Sequence, residues 1–284
     1  MAQEVSTSRY SQTIPDHLRD HVKKDSIGNI DESDMTIPRV KLMHSVSPET
    51  EDYKGQAIPG EFWHTTQKKS LGSELVGIPI IARKSQVLWA PRGDDRQILA
   101  VSRDGKIWDP PEGKFEVRFE NNPNTYTWVL KPTVAESGLA EFGSSRPGDP
   151  KSPPAATLTY EVLWWFLERP ELGPAIILNS RGALKPAKDL FGILGESPLE
   201  HYYQAFSIKA VTAKSKSNKS YYNYTYSGLG FVNSDSPDGI RAKDLFKRFE
   251  HIKFRASDER DDSGAPSGGG EAPGTTTRDA TSKF

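Results

Sequence analysis

Lysines and tyrosines are concentrated between Lys209 and Val232, in the run KAVTAKSKSNKSYYNYTYSGLGFV. Three lysines, Lys214, Lys216 and Lys219, sit in the small polar turn SKSNKS, and Tyr221, Tyr222, Tyr224 and Tyr226 follow directly. Ammonium groups neutralise phosphates, and phenol rings offer flat faces to unpaired bases whatever their identity, so this mixture suits a single nucleic-acid strand. Lys209, Lys214, Lys216 and Lys219 are therefore the expected phosphate contacts, with Tyr222, Tyr224 and Tyr226 as stacking rings. The period of two along a strand puts those three rings on one face and Tyr221 on the other. If the fold turns the trio inward, the lysine tip alone carries the chemistry. Tyrosine is also a common strand residue and lysine a common loop residue, so such a run taken alone is more often an ordinary exposed hairpin than a binding surface.

Further cations recur near expected strand ends. Arg39 and Lys41 lie one residue apart in PRVKL, and Arg83 belongs to a long apolar run. Arg92 follows that run, and Arg181 and Lys185 precede a helical pattern. Each singly is a solvated charge by default; together they suit an open groove. The tryptophans are Trp63, Trp89, Trp108, Trp128, Trp164 and Trp165. Adjacent Trp164 and Trp165 must face opposite sides of a strand, one into a core and the other to an edge, interface or base. Trp89 and Trp164 complete the candidate nucleic-acid contacts.

Other chemistries find little support. The chain has no cysteine, which removes disulfides, thiolate catalysis and cysteine-based metal sites. His17 and His21 have helical i, i+4 spacing but lack the glutamate of a zinc-protease motif. No Gly-rich loop ends in Gly-Lys-Ser/Thr, and no GxSxG occurs. No catalytic residue, metal or cofactor is expected.

The elements that would position these residues can be traced along the 284-residue chain. Residues 1–36 read as a flexible arm with one short helix near residues 13–22. Residues 37–255 read as the folded domain, and residues 256–284 as a disordered acidic tail rich in Gly, Ser, Thr and Pro. Net charge is −1, but residues 201–256 carry 10 basic and 4 acidic groups, so acidic ends conceal a cationic middle. VGIPIIARKSQVLWA predicts a long central strand, with RQILAVSRDG as its hairpin partner. Residues 104–156 predict a β-rich insertion with a flexible exit through SSRPGDPKSPP. TLTYEVLWWFLE and PAIILNS predict strands, ALKPAKDLFGILG predicts a helix over 183–195 with Pro186 in its first turn, and the Lys/Tyr hairpin and a short basic helix around 241–250 follow. Three strands, a helix and two strands make the order of an OB-fold. The expected class is mainly β: an OB-fold-like five-stranded barrel with a β-rich insertion, one core helix and disordered termini, the SKSNKS turn being its last loop.

The same ordered segments resemble the single-stranded DNA-binding proteins encoded beside replication genes in tailed bacteriophages. The matching pieces are IPRVKLMHSVSPE, AIPGEFWHT, VGIPIIARKSQVLWAPR, ILAVSRDG, PAIILNSRGALKPAKDLFGIL and AFSIKAVTAKSKSNKSYYNYTYSGLGFV, together spanning Ile37 to Val232. The resemblance implies a core of OB type that coats unwound DNA during replication or recombination without sequence preference. It also implies a tail whose terminal ring, Phe284, contacts replication or recombination proteins. This tail departs from that pattern, because Lys283 precedes the ring and the strongest acids lie more than twenty residues upstream. The expected protein is a non-enzymatic binder of single-stranded DNA. It has no membrane partner and acts in the cytoplasm, that of the host cell if viral. The alternative is a structural or adaptor protein that uses the same hairpin to bind another protein.

Overall fold

A computed structural model describes residues 37–252, except 92–95, 97, 121, 123, 216, 217 and 219. The expected N-terminal arm and C-terminal tail lie outside the described residues. The chain begins with strand β1 (Val40–Leu42), helix α1 (Pro48–Asp52), β2 (Phe62–His64) and β3 (Lys69–Gly72). The long β4 (Glu74–Trp89) and β5 (Ile98–Ser102) follow, then β6 (Gly113–Arg118), β7 (Thr125–Leu130) and the short α2 (Val134–Ser137). The remainder is β8 (Ala156–Phe166), β9 (Pro174–Ser180), α3 (Leu184–Glu196), β10 (Gln204–Lys214), β11 (Ser220–Phe231) and α4 (Pro237–Phe249).

β4 is the spine. One of its edges pairs with β8 from Gly77 to Leu88, while the other takes β10 at Glu74–Gly77 and β5 at Gln86–Trp89. Pro79, which has no N–H to donate, sits at an irregularity in the β4–β8 register, where a ladder tolerates it. The main sheet runs β11-β10-β4-β8-β9, beside a three-stranded sheet β1-β2-β3 and the two-stranded β6-β7. The expected barrel is not closed by backbone pairing: the path ends at β9 and β11, and those edges are not hydrogen-bonded into one ladder. What the structure builds is a mainly β protein of several antiparallel sheets.

Side chains bridge the open seam. Tyr226 donates its hydroxyl to Asn179 Oδ1 at 2.6 Å, and Tyr224 donates to the Leu178 carbonyl at 3.2 Å, both on β9. Asn223 donates through Nδ2 to the Gly182 carbonyl at 3.0 Å, just beyond β9. Their rings fill the interior. Tyr226 stacks on Trp164 with centroids 5.8 Å apart and planes 3° apart, and Tyr224 stacks on Phe62 at 6.1 Å. Tyr222 packs so closely on Gly60 that a Cβ there would lie 2.7 Å from its ring, and Gly60 has φ +87°. Only glycine meets both conditions without strain.

Both faces of the main sheet are covered. Val162, Trp164 and Phe166 alternate onto the face packed with Leu190 of α3, Phe206 and Ile208. Leu163 and Trp165 point the other way, against Ala242, Leu245 and Phe249 of α4. The insertion builds its own core from Trp108, Val117, Trp128 and Leu130 against Leu88 and Leu99. Its expected loose exit is tied down: Gly143 N–H bonds to Ser152 O at 2.7 Å, Ser145 N–H to Pro153 O at 3.2 Å, and Trp128 Nε1–H to Ser145 O at 3.1 Å.

Tyr226→Phe keeps the stacked ring but leaves the buried Asn179 Oδ1 without its donor, so stability measured by urea unfolding should fall by about 1–3 kcal/mol. An unchanged midpoint would show that the seam does not need this bond.

Candidate nucleic-acid interface

β10 leaves the main sheet after Lys209, where its pairing with β4 ends, yet β10 and β11 stay paired out to Lys214 and Ser220. The hairpin therefore overshoots the sheet and carries its tip past the start of β4. Its strand alternation groups the rings as expected, but the curl of the sheet decides which face is interior.

That decision overturns part of the expected contact set. Tyr222, Tyr224 and Tyr226 face inward, and burial pushes the Tyr226 hydroxyl well above the usual tyrosine range. Their rings are partly buried and pack against the core, so they do not form an open stacking ladder. Trp164 is fully buried against Tyr226 and Phe206, so it is core as well. Trp165, on the other face, is covered by α4, with the Arg241 guanidinium 5.5 Å over its ring. Trp89 is half-buried at the end of β4, paired opposite Ile98.

Several expected cations have intramolecular partners. Lys41 binds Glu49 Oε1 at 2.8 Å; burial raises that carboxyl, and the Lys41 bond, with Lys68 nearby, more than offsets it and holds it below its usual value. Lys209 reaches Glu74 Oε1 at 3.2 Å, where Ser207 also donates. The Ser207 and Lys209 bonds hold the Glu74 carboxyl below its usual range. Arg83 donates to the Phe249 and Glu250 carbonyls at 3.1 and 2.9 Å, closing the C-terminal end of α4. Lys214 is exposed at the end of β10 with no ion pair among the described residues. Arg92, Lys216, Lys219 and Phe284 lie outside the described residues.

Arg39 and Arg83 share a target. Glu161, buried on β8 opposite Arg83, accepts from Ser85 Oγ at 2.7 Å. Burial raises its carboxyl above the usual range, and the Ser85 bond and the charges of Arg39, Arg83 and Arg103 only partly counter this. A cleft of about 840 Å³ opens nearby, where α4 and the insertion approach the unpaired middle of β4's edge. Arg83, Lys84 and Arg103 line it together with Asp104, Asp109 and Glu250, equal numbers of each sign, which gives it no preference for an anion.

A second, smaller crevice lies beside the hairpin, between the end of β9 and the start of β11. His44, Ser180, Arg181, Tyr221 and Tyr222 line it, and no carboxylate does. Tyr221, which the strand period sets apart from the inward trio, shares this crevice with Tyr222 and Tyr224. Its signal was present in the alternation, but the sequence does not say that the outward ring would meet Arg181. Among the described residues no group of three or more His, Asp or Glu side chains could hold a metal, and no helix is long and apolar enough to cross a membrane.

The chain matches the family described as Pam3 phage gp34-like protein over residues 7–253. No curated protein and no solved structure matches it.

Arg83→Met should cost about 2–4 kcal/mol, because it strips two carbonyls and the buried Glu161 of their cation. A change in nucleic-acid affinity without loss of stability would return Arg83 to the binding surface. The raised Glu161 pKa also sets a pH trend. Its contribution is complete below the usual carboxylate range and is lost as pH rises through the folded value. The stability advantage of wild type over Glu161→Gln should therefore shrink as pH rises above the usual carboxylate range in urea titrations; a growing advantage would refute the assignment.

Proposed function

The chain belongs to the Pam3 phage gp34-like family, and we propose that it is a non-enzymatic protein that binds single-stranded DNA without sequence preference and protects it during phage replication or recombination. The observation that carries this is the overshooting β10–β11 hairpin. It holds exposed Lys214 beyond the sheet, at the turn where the sequence adds Lys216 and Lys219. Lysines there can follow a flexible backbone, which sequence-independent strand binding requires.

The strand connections add support. β4 pairs β8 and β10, β8 pairs β9, β10 pairs β11, and α3 falls between β9 and β10. This order of pairings is compatible with a partly open barrel of OB type, a fold in which the loop between the last two strands contacts oligonucleotides. The tail ending at Phe284 is assigned to contacts with replication or recombination proteins. A second function, as an adaptor for another protein, has one observation in its favour: Leu229 and Phe231 are 56% and 55% exposed on β11.

Anisotropy of labelled oligo-dT and of a matched duplex, each over a salt series, separates the two. Strand binding predicts tighter association with oligo-dT, weakening as salt rises, and further weakening in Lys214→Glu. Equal affinity for both, or indifference to salt, would reject it. A stable protein complex unaffected by nucleic acid would favour the adaptor.

A further inference from the structure

We propose that the crevice between the end of β9 and the start of β11 is a phosphate subsite with Arg181 as its cation. In the full assembly its occupant is a backbone phosphate of the strand held by the hairpin, so the source of the phosphate rests on the function proposed above.

The backbone is the first observation. Arg181 is left-handed, with φ +50°, although Gly182 beside it could adopt such an angle without cost. A long side chain is kept where the backbone disfavours one, and such outliers concentrate at ligand-binding positions. The turn is also fixed: Asn223 on β11 holds the Gly182 carbonyl at 3.0 Å and accepts the Tyr224 N–H at 3.0 Å through its other amide atom. Arg181 is thereby anchored to the hairpin that bears Lys214.

The chemistry of the walls is the second. The Arg181 guanidinium is exposed and has no partner among the described residues. Ser180, Tyr221 and Tyr222 line the same crevice, and their hydroxyls are likewise without partners among those residues. A guanidinium with neutral hydroxyl donors, and no carboxylate among the lining residues, is a phosphate-binding composition. Size restricts the ligand. The water-accessible space of about 30 Å³ has room for two or three oxygen-sized groups, which suits phosphoryl oxygens.

Arg181→Gly tests this, because glycine takes the left-handed angle freely and the fold should be as stable or more so. Two readouts are compared in wild type and variant: the rise in Tm with inorganic phosphate against chloride at equal ionic strength, and oligo-dT affinity over a salt series. The variant should lose the phosphate-specific rise, bind oligo-dT about fivefold to tenfold more weakly, and show a log–log salt slope reduced by about 0.7. Arg181→Lys should recover the charge and part of the affinity. If Arg181→Gly keeps both the phosphate response and the oligo-dT slope, the subsite is wrong and strand binding stands. If wild type ignores oligo-dT but phosphate stabilises it and not the variant, the subsite stands and its ligand is a phosphate from another source.

Discussion

Closing the seam between β9 and β11 by tyrosine side chains is the constraint on which the rest of the fold depends. The sheet curls far enough to bring its two ends together, but their backbones do not join in one ladder. Tyrosine suits this gap because its ring fills core volume while its hydroxyl reaches beyond it to an acceptor. Tyr226 finds Asn179 and Tyr224 finds the Leu178 carbonyl, a backbone acceptor on the sheet's edge strand. Each bond contributes about 1 kcal/mol net, and each would cost more if only one partner were removed. Through the stacking of Tyr224 on Phe62 and the contact of Tyr222 with Gly60, the same residues fasten the β1-β2-β3 sheet to the main sheet.

The second constraint is the length of β4. Sixteen residues are more than β10 or β5 alone can cover, so one edge is shared between them and its middle lacks a partner strand. His201 reaches the Ile80 carbonyl there at 2.7 Å, and α4 packs across the face. Arg83 then ties the end of α4 back to the spine. A cation placed for that purpose faces a helix end and a buried carboxylate, and its strand position resembles that of a surface charge only until α4 is in place.

The parts legible in the sequence are those fixed by local period. The β-formers and rings of TLTYEVLWWF and the short apolar run PAIILNS marked β8 and β9, and the apolar stripe through Ala187 and Leu190 marked α3, with Pro186 in its first turn. The alternation in SYYNYTY also grouped Tyr222, Tyr224 and Tyr226 on one face. Which face is interior depends on curl, a property of the whole sheet, and so the rings assigned to bases belong to the core. Trp165 was ambiguous for a related reason, since its cover is a helix more than seventy residues away. The pairings of Lys209 with Glu74 and of Arg83 with Phe249 likewise join positions that no local window contains.

Sorting the cations by what they already bind changes the physics of the proposed function. Lys41, Lys209 and Arg83 have intramolecular partners, and the tyrosine trio supplies no open stacking ladder. In the proposed function, binding would rest on the hairpin lysines and Arg181, about four charges, for which counterion release on a single strand would give a total log–log salt slope near 3. Such a footprint is short and its affinity moderate. Coverage of a long strand by molecules of this kind comes from many copies side by side, and a chain whose net charge is only −1 opposes that crowding little. The near-neutral total, which at first argues against a nucleic-acid binder, is compatible with one that works in numbers.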